Sequence, residues 1–129
     1  MSPTPLSRVL VLSALAGLGL CASAWAQTST PDGAALFKQQ CAACHTLNAS
    51  DPQRQGPTLA GVYGRKPGTV PGYKYTPDFA KADFVWDDAH LDQYLANPQA
   101  LIADSIMPYR QSKAPVRQAI IAYLKEQPK

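Results

Sequence analysis

Two cysteines and a histidine stand together in the segment Cys41-Ala42-Ala43-Cys44-His45. On a helix, positions three apart lie on one face, so both thiols point the same way and the adjacent imidazole is free to bind a metal. C-x-x-C-H is the attachment site of c-type haem, in which the thiols form thioethers and the histidine binds iron. The motif therefore predicts one covalently attached haem c on Cys41 and Cys44, with His45 as an iron ligand.

Two other chemistries use the same residue types. A zinc site requires four Cys or His ligands, usually as two separated pairs. After residue 26 the chain offers only Cys41, Cys44, His45 and His90, and the adjacency of Cys44 and His45 strains a tetrahedral set. A thioredoxin-like dithiol requires C-x-x-C beside a β-α-β pattern, and the sequence has no such pattern. Both chemistries are therefore disfavoured relative to haem.

A six-coordinate haem needs a second axial ligand, and two residues compete for that role. Met107 is the sole methionine after residue 26 and lies in the segment 104–109, called here the Met107 loop. His90 would instead give a bis-histidine iron, but it is surrounded by aspartates in a pattern typical of a solvated helix face. We therefore expect His45 and Met107 to be the metal ligands.

The first 26 residues have the pattern of a secretory signal peptide. Arg8 precedes an apolar run over residues 9–20, and Ala24-Trp25-Ala26 ends the segment with the small residues that signal peptidase recognises. The apolar run is too short to serve as a permanent membrane anchor. The pattern therefore predicts cleavage after Ala26.

Cleavage there would leave one domain, residues 27–129, in the bacterial periplasm. Export agrees with the motif, because bacterial c-type haem is attached outside the cytoplasmic membrane. An acylated Cys21 is the alternative, but a lipoprotein signal requires a small residue before the cysteine, and Leu20 is not small.

Length and composition limit the class of protein. The chain has 129 residues, is 46% hydrophobic and carries a net charge of +3, which falls to +2 once Arg8 is removed. These values exclude a collagen-like or wholly disordered protein, and length alone suggests one domain. The positive charge is too small to predict nucleic-acid binding. We expect no nucleic-acid partner and a monomer when the protein is free.

Apolar periodicity and capping signals predict an all-α fold. Three main helices are expected. The first runs from Pro31 to about Cys44, with Thr30 as its cap. The second covers Asp87–Ala96, with a short helical turn through Leu101 and Ile102 after it, and the third runs from about Lys113 to Glu126. Between the first two lies Asp51–Pro77, where 27 residues include five prolines and five glycines. Such a long irregular loop is uncommon in a compact domain, so we expect it to wrap around the haem.

With these features in place, the sequence resembles the class I c-type cytochromes, and in particular their soluble mitochondrial-type branch. Met107 follows His45 by 62 residues, which is the spacing of that branch. Further family segments occur in the family's order over nearly all of residues 27–129: GPTLAGVYGRKPGTVPGYKYT (56–76), Trp86, LDQYLANP (91–98) and AIIAYLKE (119–126).

The resemblance implies roles for further residues. Pro57 stands where a backbone carbonyl accepts the N–H of the iron-binding imidazole, which would strengthen that ligand. Arg65, Tyr75 and Trp86 stand where the family places groups that hold a haem propionate. Tyr94 matches the tyrosine beside the axial methionine. Gly33, Phe37 and Tyr123 match the crossing of the first and last helices, which is a structural role.

Other positions depart from the family pattern. Phe79 stands where the mitochondrial branch commonly has a hydrogen-bonding asparagine, and Pro108 follows the methionine. In mitochondrial-type relatives a ring of lysines surrounds the exposed haem edge and steers the protein to acidic partners. Five of the corresponding positions here, called the rim residues, are uncharged: Ala35, Gln40, Gln99, Ala100 and Ile106. Arg54 and Lys113 are the cations that remain of the ring. The sequence therefore predicts docking that depends only weakly on charge.

Together these features predict a periplasmic monohaem carrier that passes single electrons between a protein donor and a protein acceptor. Filling both axial positions leaves no open site for a substrate, so we do not expect an enzyme. A haem enzyme or gas sensor would instead have five-coordinate iron. A dedicated haem subunit of a periplasmic dehydrogenase or oxidase complex would share every motif and is the main alternative.

Overall fold

The computed structural model describes residues 29–129, which form helices and loops without a β-strand. The α-helices of this part of the chain are α1 at Gly33–Gln40, α2 at Asp88–Ala96, α3 at Pro98–Leu101 and α4 at Ala114–Lys125. A 3-10 helix at Pro77–Lys81 precedes α2. The all-α fold class is confirmed. The signal peptide predicted for residues 1–26 lies outside the described residues.

Helix α1 is shorter at both ends than the sequence suggested. It begins at Gly33 because the Asp32 carboxylate accepts hydrogen bonds from the amides of Ala34 at 3.0 Å and Ala35 at 3.3 Å. Thr30 is therefore not the cap. Regular helix ends at Gln40, after which the Ala42 N–H donates to Phe37 O, five residues back. The haem motif thus lies in tight turns that follow the helix.

The later helices lie close to their predicted positions. Asp87 caps α2 by accepting from the His90 amide at 2.9 Å, so this helix begins one residue later than expected. The short helical turn predicted after it is α3. Proline is the first residue of α3 and the second of α4, where a missing N–H loses no hydrogen bond. The 3-10 helix at Pro77–Lys81 was not predicted.

Helices α1 and α4 cross at Gly33. A Cβ at this position would overlap the Ala119 carbonyl oxygen and lie 2.8 Å from Tyr123 Cβ, so only glycine permits this approach. One turn further along, the rings of Phe37 and Tyr123 pack with centroids 5.8 Å apart. The predicted structural role of Gly33, Phe37 and Tyr123 is therefore confirmed.

The long loop has no helix or strand over residues 51–76. Two backbone hydrogen bonds close it against the segment that enters α2: Gly64 N–H donates to Trp86 O at 2.7 Å, and Trp86 N–H donates to Arg65 O at 2.9 Å. Gly64 has a φ of 82°, a backbone conformation that favours glycine. This closure places Trp86, which is buried, beside Arg65.

Candidate haem-binding site

A cavity of about 420 Å³ is lined by α2, α4 and the loops that precede them. All nine residues that the sequence predicted for the site line this cavity, and His90 does not. The lining is mostly apolar, and the volume lies within the range of about 300–1,000 Å³ that is typical of cofactor sites. The fold therefore brings together residues that the sequence separates widely, in a space suited to a flat apolar group.

The two cysteines of the motif are free thiols, each half-buried at the cavity. Burial raises the pKa of the Cys41 thiol to about 11, and the neighbouring Cys44 adds to the shift. The Cys44 thiol is 3.6 Å from the Gln55 side-chain oxygen, to which it donates. Because the thiols are not joined in a disulfide, both sulfurs can form thioethers.

His45 is held by one hydrogen bond through its ring. Its Nδ1 lies 2.7 Å from the backbone oxygen of Pro57, which fits an N–H donor at Nδ1. Burial lowers the pKa of the His45 imidazole, and the hydrogen bond to Pro57 opposes that shift. The ring is thus neutral at pH 7, and its Nε2 lone pair is available to a metal.

Gly56 lets the backbone approach this imidazole closely. A Cβ at Gly56 would overlap His45 Cε1 and lie 2.6 Å from Nδ1 and 2.8 Å from Nε2. The Gly56 N–H donates to Cys44 O at 2.8 Å, which fixes the segment against the motif. Only glycine therefore allows Pro57 to reach the ring.

Met107 lines the cavity from a loop without regular structure. The resemblance places Tyr94 beside the methionine. In the structure, the Tyr94 hydroxyl forms a hydrogen bond of 2.6 Å with the Ser105 hydroxyl. Ser105 Oγ in turn accepts from the Met107 amide at 3.4 Å. Burial raises the pKa of Tyr94, so its phenol stays protonated. Tyr94 therefore acts on the Met107 backbone through Ser105.

Arg65, Tyr75 and Trp86, which the resemblance assigns to a haem propionate, lie on the cavity wall. The Arg65 guanidinium donates to Ala60 O at 2.6 Å and to Thr58 O at 2.9 Å, so it also holds the loop in shape. The charged side chains that line the cavity in residues 29–129 are Arg65 and Lys74, both cations. This charge suits a cofactor with carboxylate groups.

Neither bis-histidine ligation through His90 nor a zinc site is supported by the geometry. His90 stacks on Phe84 with ring centroids 4.1 Å apart, and its Nδ1 lies 2.7 Å from Asp87 Oδ1. It is thus held away from the cavity. Over residues 29–129, no group of three or more His, Cys, Asp or Glu side chains is arranged to hold a metal ion.

Sequence reasoning missed three polar residues that hold the Met107 loop: Gln99, Asp104 and Ser105. The Asp104 carboxylate accepts from the Thr76 hydroxyl at 2.8 Å and from the Asp78 amide at 3.0 Å, which ties the loop to the 3-10 helix. Polar side chains in loops and short helices usually face solvent, so composition gave no signal for these three residues. Their only signal is proximity in sequence to Met107.

Comparison with known proteins finds extensive similarity. A family model described as "Cytochrome c" matches residues 31–128. A protein named "Cytochrome c" from Arabidopsis thaliana is 40% identical over 104 residues, which cover 80% of this chain and 93% of that protein. "Cytochrome c2 iso-2" from Magnetospirillum fulvum is 44% identical over 86 residues, which cover 66% of this chain and 88% of that protein. The region matched by the model contains all nine predicted site residues.

Proposed function

Since the chain belongs to the cytochrome c family, we propose that it is a periplasmic monohaem electron carrier whose iron is bound by His45 and Met107. Membership itself implies one covalently attached haem c and electron transfer with protein partners. The proposal that His45 and Met107 bind the iron depends on one observation: Cys41, Cys44, His45 and Met107 all line the same apolar cavity.

The residues present fit this cofactor. Cys41 and Cys44 would attach it through thioethers, and His45 and Met107 would fill the axial positions. Arg65 and Lys74 supply positive charge for the propionates, and the hydroxyl of Tyr75 and the indole N–H of Trp86 are further donors at the cavity.

The residues around the cavity would set the strength of the histidine ligand and the redox potential. The haem supplies a one-electron couple. The hydrogen bond from His45 Nδ1–H to Pro57 O fixes the ring and makes it a stronger ligand. The thioether sulfur of Met107 and the apolar wall both favour reduced iron, so we expect a relatively high potential. If His45 and Met107 both bind the iron, no coordination site would remain for a substrate, so the proposed function is electron transfer without catalysis.

The periplasmic location rests on the signal-peptide pattern of residues 1–26. From residue 29 onward, no helix has the length and apolar character needed to cross a bilayer. We expect the exported protein to have the intact mass of residues 27–129 plus one haem, measured by mass spectrometry of a periplasmic extract. A mass that shows an acylated Cys21 would contradict this proposal.

An optical spectrum with a redox titration tests the electron-carrier function. We expect low-spin six-coordinate iron in both oxidation states and a single one-electron wave. Five-coordinate, high-spin iron in either state would contradict the proposal and indicate a haem enzyme or gas sensor. Co-purification with a dehydrogenase or oxidase at fixed stoichiometry would contradict a free carrier and identify a subunit.

A further inference from the structure

Gln99, which lies in α3, reaches the Met107 loop with its side-chain amide. The amide nitrogen donates to Ser105 O at 2.8 Å and to Met107 O at 3.0 Å. The amide oxygen accepts from Arg110 Nη2 at 2.8 Å. One side chain thus contacts the backbone on both sides of Ile106 and orders the residue that follows the loop.

The chemistry of these contacts is specific to glutamine. A primary amide has two N–H donors and one carbonyl acceptor, and here two carbonyls take the donors while a guanidinium takes the acceptor. This pattern also fixes the orientation of the amide, since the reverse would place its oxygen against two carbonyl oxygens. A carboxylate has no donor for the two carbonyls, and an ammonium group has no acceptor for Arg110.

The other hydrogen bonds of the loop do not involve the Met107 carbonyl oxygen, which accepts from the Gln99 amide. Asp104 and the Ser105 hydroxyl hold the N-terminal half of the loop, through Thr76 and Tyr94. Pro108 follows Met107 and has no N–H, so it cannot form a backbone hydrogen bond that would stiffen the next peptide. Over residues 29–129, the side chain that donates to Met107 O is Gln99 alone.

We propose that Gln99 is a positioning residue that holds the Met107 loop closed, so that the thioether stays on the iron. This inference rests on the proposed ligation by Met107 and adds the residue that maintains it. A ligand from solvent can reach the iron only when Met107 leaves. Removing the Gln99 contacts should therefore make the iron more accessible without changing which groups bind it.

Imidazole binding to the ferric holoprotein tests this role, with loss of the far-red sulfur-to-iron band as the signal. We expect Gln99→Ala to bind imidazole about tenfold more tightly than the native protein, because hydrogen bonds that closed the loop no longer oppose release of Met107. Gln99→Glu retains the size but lacks the donors, and should increase affinity at least as much. Arg110→Ala loosens the amide and should give a smaller increase.

Gln93→Ala is the matched control, because Gln93 is an exposed glutamine of α2 whose side chain makes no hydrogen bond to the described residues. It should bind imidazole like the native protein. Native affinity in both Gln99 variants would overturn the inference while leaving Met107 ligation intact. If the native protein lacks the far-red band, the proposed ligation itself is wrong and the inference falls with it. A merely structural role would lower the denaturation midpoint of the Gln99 variants with imidazole affinity unchanged, and this also overturns the inference.

Discussion

The proximal segment, residues 41–57, and the Met107 loop supply the two proposed iron ligands in different ways. The proximal segment contains both cysteines, the histidine and the carbonyl that orients its ring, and backbone hydrogen bonds hold it together. The Met107 loop contributes one ligand side chain, and it is held by a backbone amide of the 3-10 helix and by side chains of α2 and α3. Local sequence thus builds one side of the site, and tertiary contacts build the other.

The largest effect should come from breaking the proximal segment covalently. Cys41→Ala combined with Cys44→Ala removes both thioethers and leaves the cavity of about 420 Å³ unfilled. Without the cofactor the apolar wall of this cavity is exposed to water, and a domain is stable by only about 5–15 kcal/mol, so the lost burial is enough to unfold it. We therefore expect circular dichroism to show an unfolded chain.

Ala43→Ser, an exposed position between the cysteines, should remain folded with haem attached. A stable, folded apo-domain in the double variant would show that the protein does not depend on its haem for folding.

The next largest effect should come from the Met107 loop. Met107→His keeps the iron six-coordinate but replaces a sulfur ligand that favours ferrous iron with a nitrogen ligand. We expect the far-red band to vanish and the potential to fall by about 0.1–0.3 V, within the range of about 0.8 V that axial ligands span. His90→Ala should leave both properties unchanged. Survival of the band in Met107→His, or its loss in His90→Ala, would reverse the assignment.

Substitutions at two glycines distinguish an effect on the haem site from a general loss of stability. Gly56→Ala would drive a Cβ into the His45 ring, and Gly33→Ala would drive one into the Ala119 carbonyl. Both should lower the free energy of unfolding by about 1–3 kcal/mol, measured by denaturant titration. Only Gly56→Ala should shift the haem spectrum and the potential. Equal spectra for the two variants would mean that the close approach at Gly56 does not tune the imidazole.

The contrast between the two regions also explains what the sequence could predict. The proximal segment is a contiguous motif, so Cys41, Cys44 and His45 were evident from spacing. Met107 followed from its being the sole methionine after residue 26, and the resemblance added Pro57; the structure places both on the same cavity. In contrast, Gln99 and its partners carry no pattern, because their roles arise only when α3 meets the Met107 loop.

The sequence predicted the cap of α1 wrongly and missed the 3-10 helix, because both depend on geometry that residue types do not show. Thr30 and Asp32 are both good helix caps, and only the backbone geometry decides that Asp32 accepts the free amides. The 3-10 helix at Pro77–Lys81 is one short element without apolar periodicity, and it depends on Asp104, which is far away in sequence. Helix α4 was easier because its apolar stripe spans three turns and packs on α1 and α2.

The smallest effect should be that of salt on docking, and it concerns the outer face of the Met107 loop. Ile106 is 76% exposed beside Met107, and every rim residue is uncharged. Lys74 is the exposed cation on the cavity wall, and so few cations near this edge give little steering. The second-order rate of electron transfer to the native partner should therefore change by no more than about twofold between low and physiological ionic strength. Ile106→Lys places a cation on this face and should make the salt dependence steeper if the partner is acidic. A steep fall with salt in the native protein would indicate charge-steered docking and would show that cations outside the rim guide the partner.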